Sequence, residues 1–104
     1  MPEESPTSDY FAVSSGASHA CLDLRLPDGK RIGLPYAYIN AITFDPETGI
    51  TLTNTREQVT ITGRNLARLF DHLLLYRVRY IQVNLGGDSQ EEGVFVETIS
   101  IEQL

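Results

Sequence analysis

Arg64, Arg68, Arg77 and Arg79, half of the chain's eight basic residues, fall in one stretch, GRNLARLFDHLLLYRVRYIQ (63–82). A guanidinium is planar, always charged and able to meet a phosphate or carboxylate with two donors at once, and it stacks on aromatic rings. Tyr76 and Tyr80 interleave with Arg77 and Arg79, a mixture that nucleic-acid and phosphoprotein surfaces use. Arg64 stands near the start of an expected helix, where free backbone amides favour an anion and disfavour a lone cation. A phosphate or carboxylate partner would relieve that conflict. Asp71, Glu57 and the acidic ends of the chain can supply such a partner internally, so the same pattern also describes the solvated side of a packing helix.

Other chemistry finds less. A Ser-His-Asp or Cys-His arrangement needs a nucleophile and a base within hydrogen-bond reach, whereas His72 is expected on the outward side of the helix, one turn from Arg68, with Asp71 a solvated charge beside it. TGRN has one glycine, where a phosphate loop requires two and a Lys-Ser/Thr pair. Carboxylates concentrate towards the ends, where acid–base work lacks a pocket. The single cysteine, Cys21, excludes an internal disulfide and a cysteine metal site, and it reads as a buried or half-buried thiol. His19 and His72 stand far apart without metal-ligand spacing. No catalytic, metal or cofactor residue is expected, and the chain reads as non-enzymatic. Tyr36 and Tyr38 are candidate interface aromatics, because tyrosine joins a large apolar area to a polar tip.

The elements that must position these groups follow from periodicity. CLDLRL (21–26) alternates, with Leu22, Leu24 and Leu26 on one face, and PDGK turns the chain into RIGLP, with Ile32 and Leu34 facing inward. AITFDPETGITLTN (41–54) is a hairpin: Pro46 presets one turn dihedral, Asp45 bonds the turn backbone and Gly49 takes the left-handed conformation. A second reversal at NTRE leads into QVTIT, with Val59 and Ile61 inward. Leu66, Leu69, Phe70, Leu73 and Leu74 then fall at i, i+3, i+4, i+7 and i+8, predicting a helix over about residues 65–76 with Asn65 or Gly63 as its N-cap. RVRYIQV returns to strand, with Arg79, Ile81 and Val83 on one face. VFVETISIE is apolar on both faces, as a buried strand or one exchanged with another subunit would be. The fold class is α+β: a small, mainly antiparallel sheet or partly closed barrel with one helix packed on it.

Length and charge set the frame. At 104 residues the chain fits one domain. Residues 1–18 read as an acidic, polar tail in which DYFAV (9–13) is an apolar island fit to dock as an extra strand. Residues 19–84 form the core, 85–93 an acidic Gly-rich linker, and 94–104 a strand docking on the core or on another subunit. Between residues 22 and 82 there are eight basic and six acidic residues, while the remaining eight acids lie towards the ends. The net charge of −6 makes nucleic acid an unfavourable partner for the intact chain. No apolar run approaches the roughly 20 residues of a membrane span, and MPEESPTSDYFAVSSGASHA has no secretory leader pattern. A cytoplasmic location is expected.

Between Leu34 and Gln82, the segments LPYAY, VTITGRNL and RVRYI resemble those of a group of small bacterial proteins of unassigned role, with the patterns LPY.Y, V.I.GRNL and RV..I. The resemblance covers about half the chain and implies a compact domain without assigning a residue's role. GLPYAYINAITF also resembles the strand after the first hairpin of Sm-like and pleckstrin-like barrels. The expected function is a protein-interaction or assembly module, able to self-associate through unpaired sheet edges, with Arg64, Arg68, Arg77, Arg79, Tyr36 and Tyr38 as its surface; the alternative is an anion or nucleic-acid binder whose arginines are screened by the acidic ends.

Overall fold

The computed structural model describes residues 4–6, 10–14, 20–84 and 93–104. Its elements, in chain order, are β1 (Glu4–Pro6), β2 (Phe11–Ser14), β3 (Cys21–Arg25), β4 (Arg31–Pro35), a 3-10 turn at Tyr36–Tyr38, β5 (Ala41–Asp45), β6 (Gly49–Thr53), β7 (Glu57–Arg64), α1 (Ala67–Leu73), β8 (Val78–Gln82) and β9 (Phe95–Gln103). The strands form two open sheets, ordered β1-β2-β8-β3-β4 and β5-β6-β7-β9. Neither closes into a barrel, and the fold is α+β. Among the described residues every strand pairing is antiparallel except that of β3 with β8.

The second sheet is the regular one, and its register explains its burial. Two apolar rows cross it: Ile42, Leu52, Val59 and Ile101 in one, and Phe44, Ile50, Ile61 and Ile99 in the other. Side chains of one face recur every second residue, so these rows lie on the core face, and Thr43, Thr51, Thr60 and Ser100 make the opposite, hydroxyl-bearing row. The central members Leu52, Val59, Ile50 and Ile61 are buried, and the outer members are only half-buried. The turns are those expected: Asp45 Oδ1 accepts from the Glu47 N–H at 2.9 Å, and Asn54 Oδ1 accepts from the N–H groups of Arg56 and Glu57 at 2.8 and 2.7 Å.

The first sheet draws on residues read above as part of a tail. Phe11 pairs with Ile81 in β2–β8, and Phe11 and Ala12 are buried, so the apolar island enters the sheet; Asp9 lies outside the described residues, as does the linker segment 85–92. A register shift between Ala12 and Val13 accompanies a break in the alternation of β8. Val78, Ile81 and Val83 are therefore all buried, whereas simple alternation would put Val78 and Ile81 on opposite faces. Cys21 is exposed rather than buried, because Leu22 and Leu24 own the inner face of β3.

The helix is shorter than periodicity predicts, Ala67–Leu73 rather than 65–76. At its start, Leu66 holds the N-cap position with no side-chain cap bond. Asn65 is left-handed (φ 57°), and its amide donates to the Gly93 carbonyl at 2.9 Å, tying the turn to the approach of β9 instead of capping the helix. At its end, the Tyr76 N–H bonds the Leu73 carbonyl and the Arg77 N–H bonds the His72 carbonyl, with Tyr76 left-handed at φ 59°. This is the Schellman pattern, with tyrosine where glycine is usual. Leu66, Leu69 and Leu73 are buried, but Leu74, at the C-cap, is 51% exposed.

Gly49 is the most constrained hairpin residue: its φ is 109°, and a Cβ there would collide with the Ile61 carbonyl oxygen. Gly49→Ala is expected to lower stability by about 2 kcal/mol or more, through strain and displacement of β7. Urea unfolding with an unchanged denaturant slope would show it, and a change within a few tenths of a kcal/mol would contradict this account.

Candidate interaction surface

The six residues singled out in the sequence differ in exposure. Tyr36 is in the core, 1% exposed, with its hydroxyl donating to the Val78 carbonyl at 2.6 Å. Burial pushes its hydroxyl well above the ordinary tyrosine range. It therefore cannot serve as an exposed interface aromatic in this fold. Tyr38, two residues on, is 69% exposed and borders a shallow cleft with Asn54, Thr55, Arg56 and Glu57.

The arginines lie on successive elements. Arg64 ends β7, half-buried, with its guanidinium 4.8 Å from the centre of the Phe95 ring. It lines a cleft of about 290 Å³ with Phe44, Pro46, Gly49, Gly63, Asn65, Leu66 and Ala67. Arg68 is exposed on α1, Arg77 half-buried just past it, and Arg79 exposed on β8. His72, expected on the surface, is half-buried, its ring centre 6.2 Å from that of Phe11. Among the described residues no group of three or more His, Cys, Asp or Glu side chains could hold a metal ion.

The best-defined charged group lies elsewhere, on the outer face of β3 and β4. Asp23 accepts from Arg31 (Nε at 3.2 Å, a terminal nitrogen at 2.7 Å) and from Arg25 Nε at 3.1 Å. Arg25 in turn stacks 3.8 Å over the Tyr80 ring. The hydrogen bond from Arg31 is the main cause that holds the Asp23 carboxyl below its ordinary 3.8; burial opposes it, and Arg25 assists. Sequence reading missed this cluster, although strand alternation put Asp23 and Arg25 on one face and the PDGK turn set Arg31 opposite Arg25.

The remaining feature is apolar. Leu74, Leu75 and Tyr76 are consecutive and 51, 53 and 39% exposed. Their backbone is fixed: the N–H groups of residues 74, 75, 76 and 77 bond the carbonyls of Phe70, His72, Leu73 and His72. Tyr76 is also stacked on buried Tyr36, ring centres 4.7 Å apart and 22° from parallel. A non-glycine residue in the left-handed region costs roughly 1 kcal/mol or more, and the stack helps offset that cost. Arg68 and Asp71 are both exposed on the helix that leads to this corner. Single exposed apolar residues are ordinary; here three consecutive ones share a corner whose backbone is hydrogen-bonded.

No family model, curated protein or solved structure matches the chain. Among the described residues no helix is long and apolar enough to cross a membrane.

The Asp23 cluster has a defined pH signature. A carboxyl with a lowered folded pKa stabilises the fold above its unfolded value and loses that contribution as pH falls through the folded one. The melting-temperature gap between the native chain and Asp23→Asn should hold constant from neutral pH down to about 5, then narrow below about pH 4. A gap that stays constant throughout acid titration would contradict it.

Proposed function

We propose that the chain is a cytoplasmic, non-enzymatic protein-interaction module that docks a partner on the Leu74-Leu75-Tyr76 corner. The carrying observation is the exposure of these three consecutive apolar side chains on a backbone locked by helix-terminating bonds and the Tyr36–Tyr76 stack. A preordered apolar surface loses little conformational entropy on binding, so its burial translates into affinity. Arg68 and Arg77 adjoin the corner in sequence, and an apolar centre beside basic groups suits a partner segment in which carboxylates flank apolar residues.

The alternative, an anion or nucleic-acid surface built on the four arginines, has weaker support. Arg25 and Arg31 share the Asp23 carboxylate, Arg64 lies against Phe95, and the remaining arginines sit on different elements. The net charge of −6 also opposes a polyanion.

Leu74→Ser with Leu75→Ser should leave the melting temperature nearly unchanged, as exposed positions usually do, and should abolish crosslinks formed by a photoreactive group at Asp71 in lysate. Retention of the same crosslinked proteins by the double variant would overturn the docking corner. Capture that survives the double variant, requires nucleic acid and falls steeply with salt would favour the arginine surface instead.

A further inference from the structure

We infer that the outer edge of β9 is a strand-pairing interface, and that its occupant is β9 of a second copy of this chain. The argument starts from ladder parity. The Leu104 N–H donates to the Arg56 carbonyl at 2.8 Å, continuing the register in which Gln103 faces Glu57. Hydrogen-bonding groups in an antiparallel ladder alternate sides. Residues 98, 100 and 102 therefore turn their N–H and C=O groups to β7, and Ile99, Ile101 and Gln103 turn theirs away from it. β9 stands last in its sheet, so among the described residues no strand meets those outward groups. One outward position, Val96, is occupied: its carbonyl accepts from the Asn84 N–H at 2.9 Å.

The other sheet edges carry features that discourage pairing. β1 has three residues and ends in Pro6; β4 starts with Arg31 and ends in Pro35. β5 is five residues long, and α1 packs on its core face with Phe70 stacked 5.6 Å from Phe44. Short length, proline, charge and covering helices are the usual protections of an edge. β9 is nine residues long, without proline or lysine. At its Phe95 end the ring packs edge-on against Tyr10 at 5.8 Å and lies beneath Arg64. Further along, the two apolar rows of the sheet simply end at Ile99 and Ile101, both half-buried.

The sequence of β9 is self-complementary in one register. With a two-fold axis through the pair of Ile101 residues, Ile99 of each copy faces Gln103 of the other, and Glu102 faces Ser100 rather than a second glutamate. The bulge between Thr62 and Gly63, which leaves Glu97 without a register partner on β7, then lies outside the paired segment. Centring the pair on Ile99 instead would run into that bulge and the engaged Val96. In the favoured register the row Ile42, Leu52, Val59, Ile101 continues into the second copy, and the two four-stranded sheets become one eight-stranded sheet. This surface is separate from the Leu74-Leu75-Tyr76 corner and does not depend on it.

Gln103 supplies a discriminating test, because it is exposed and its N–H points outward. Gln103→Pro removes an interfacial donor from each copy without taking a hydrogen bond from the β7–β9 ladder, whereas Gln103→Ala keeps the donor. Sedimentation equilibrium of the full chain, from micromolar to millimolar concentration, should show a reversible dimer for the native chain and Gln103→Ala. Gln103→Pro should weaken it roughly tenfold or more. Ile101→Lys, which sets two ammonium groups against each other on the axis, should dissociate the dimer with every N–H in place. A native chain that stays monomeric throughout, or a dimer indifferent to both Gln103→Pro and Ile101→Lys, overturns the inference.

Discussion

The buried hydroxyl of Tyr36 constrains more of this fold than any other single group. Tyr36 opens the 3-10 turn that carries the chain from one sheet to the other, and its own N–H bonds the Ala20 carbonyl at 3.0 Å. Its hydroxyl meets the carbonyl of Val78 at the start of β8, and its ring supports Tyr76 at the end of α1. A buried hydroxyl without a partner would cost roughly 1–3 kcal/mol, so the crossing between sheets, the helix end and the first residue of β8 are held to one geometry. The left-handed Tyr76 fits the same constraint, because the stack requires an aromatic ring where glycine would relieve the backbone.

From that joint the sheets diverge in character. The β5-β6-β7-β9 sheet is nearly regular, and its two apolar rows are sealed in the middle and half-covered at the sides. The first sheet mixes parallel and antiparallel pairs and shifts register opposite β8. The residues that join them cluster near the Phe95 end of β9: Asn84 on Val96, Tyr10 on Phe95, Arg64 over the same ring and Asn65 on Gly93. β9 is therefore held from several sides at one end and by β7 alone among described strands at the other, an asymmetry that shapes what its edge can do.

The charged groups follow the same logic. Arg25 and Arg31 flank one carboxylate on the sheet exterior, an arrangement that fixes side-chain positions. Arg64 covers an aromatic ring. Outside these charge contacts lie the exposed apolar residues at the helix end and the last strand of the second sheet.

The sequence by itself determined the two hairpins, their turns and their inward faces, because alternation and turn chemistry act within a few residues: Leu22 and Leu24, Ile50 and Leu52, and Val59 and Ile61 all face the core, and Asp45, Gly49 and Asn54 make their turns. It also located the helix and three of its buried leucines, Leu66, Leu69 and Leu73. Tertiary structure decided the rest. Periodicity overran the helix end at Leu74, since nothing local announces that Tyr76 will turn left-handed against a tyrosine forty residues earlier. Proximity in sequence groups Arg64, Arg68, Arg77 and Arg79, which the fold distributes over the end of β7, the helix, the segment after it and β8. The Asp23 cluster needed the β3–β4 register, and the open edge of β9 needed the sheet order, neither of which is a property of any short stretch of chain. Local patterns fix which face of an element is apolar; only the packed fold fixes which of those faces is covered.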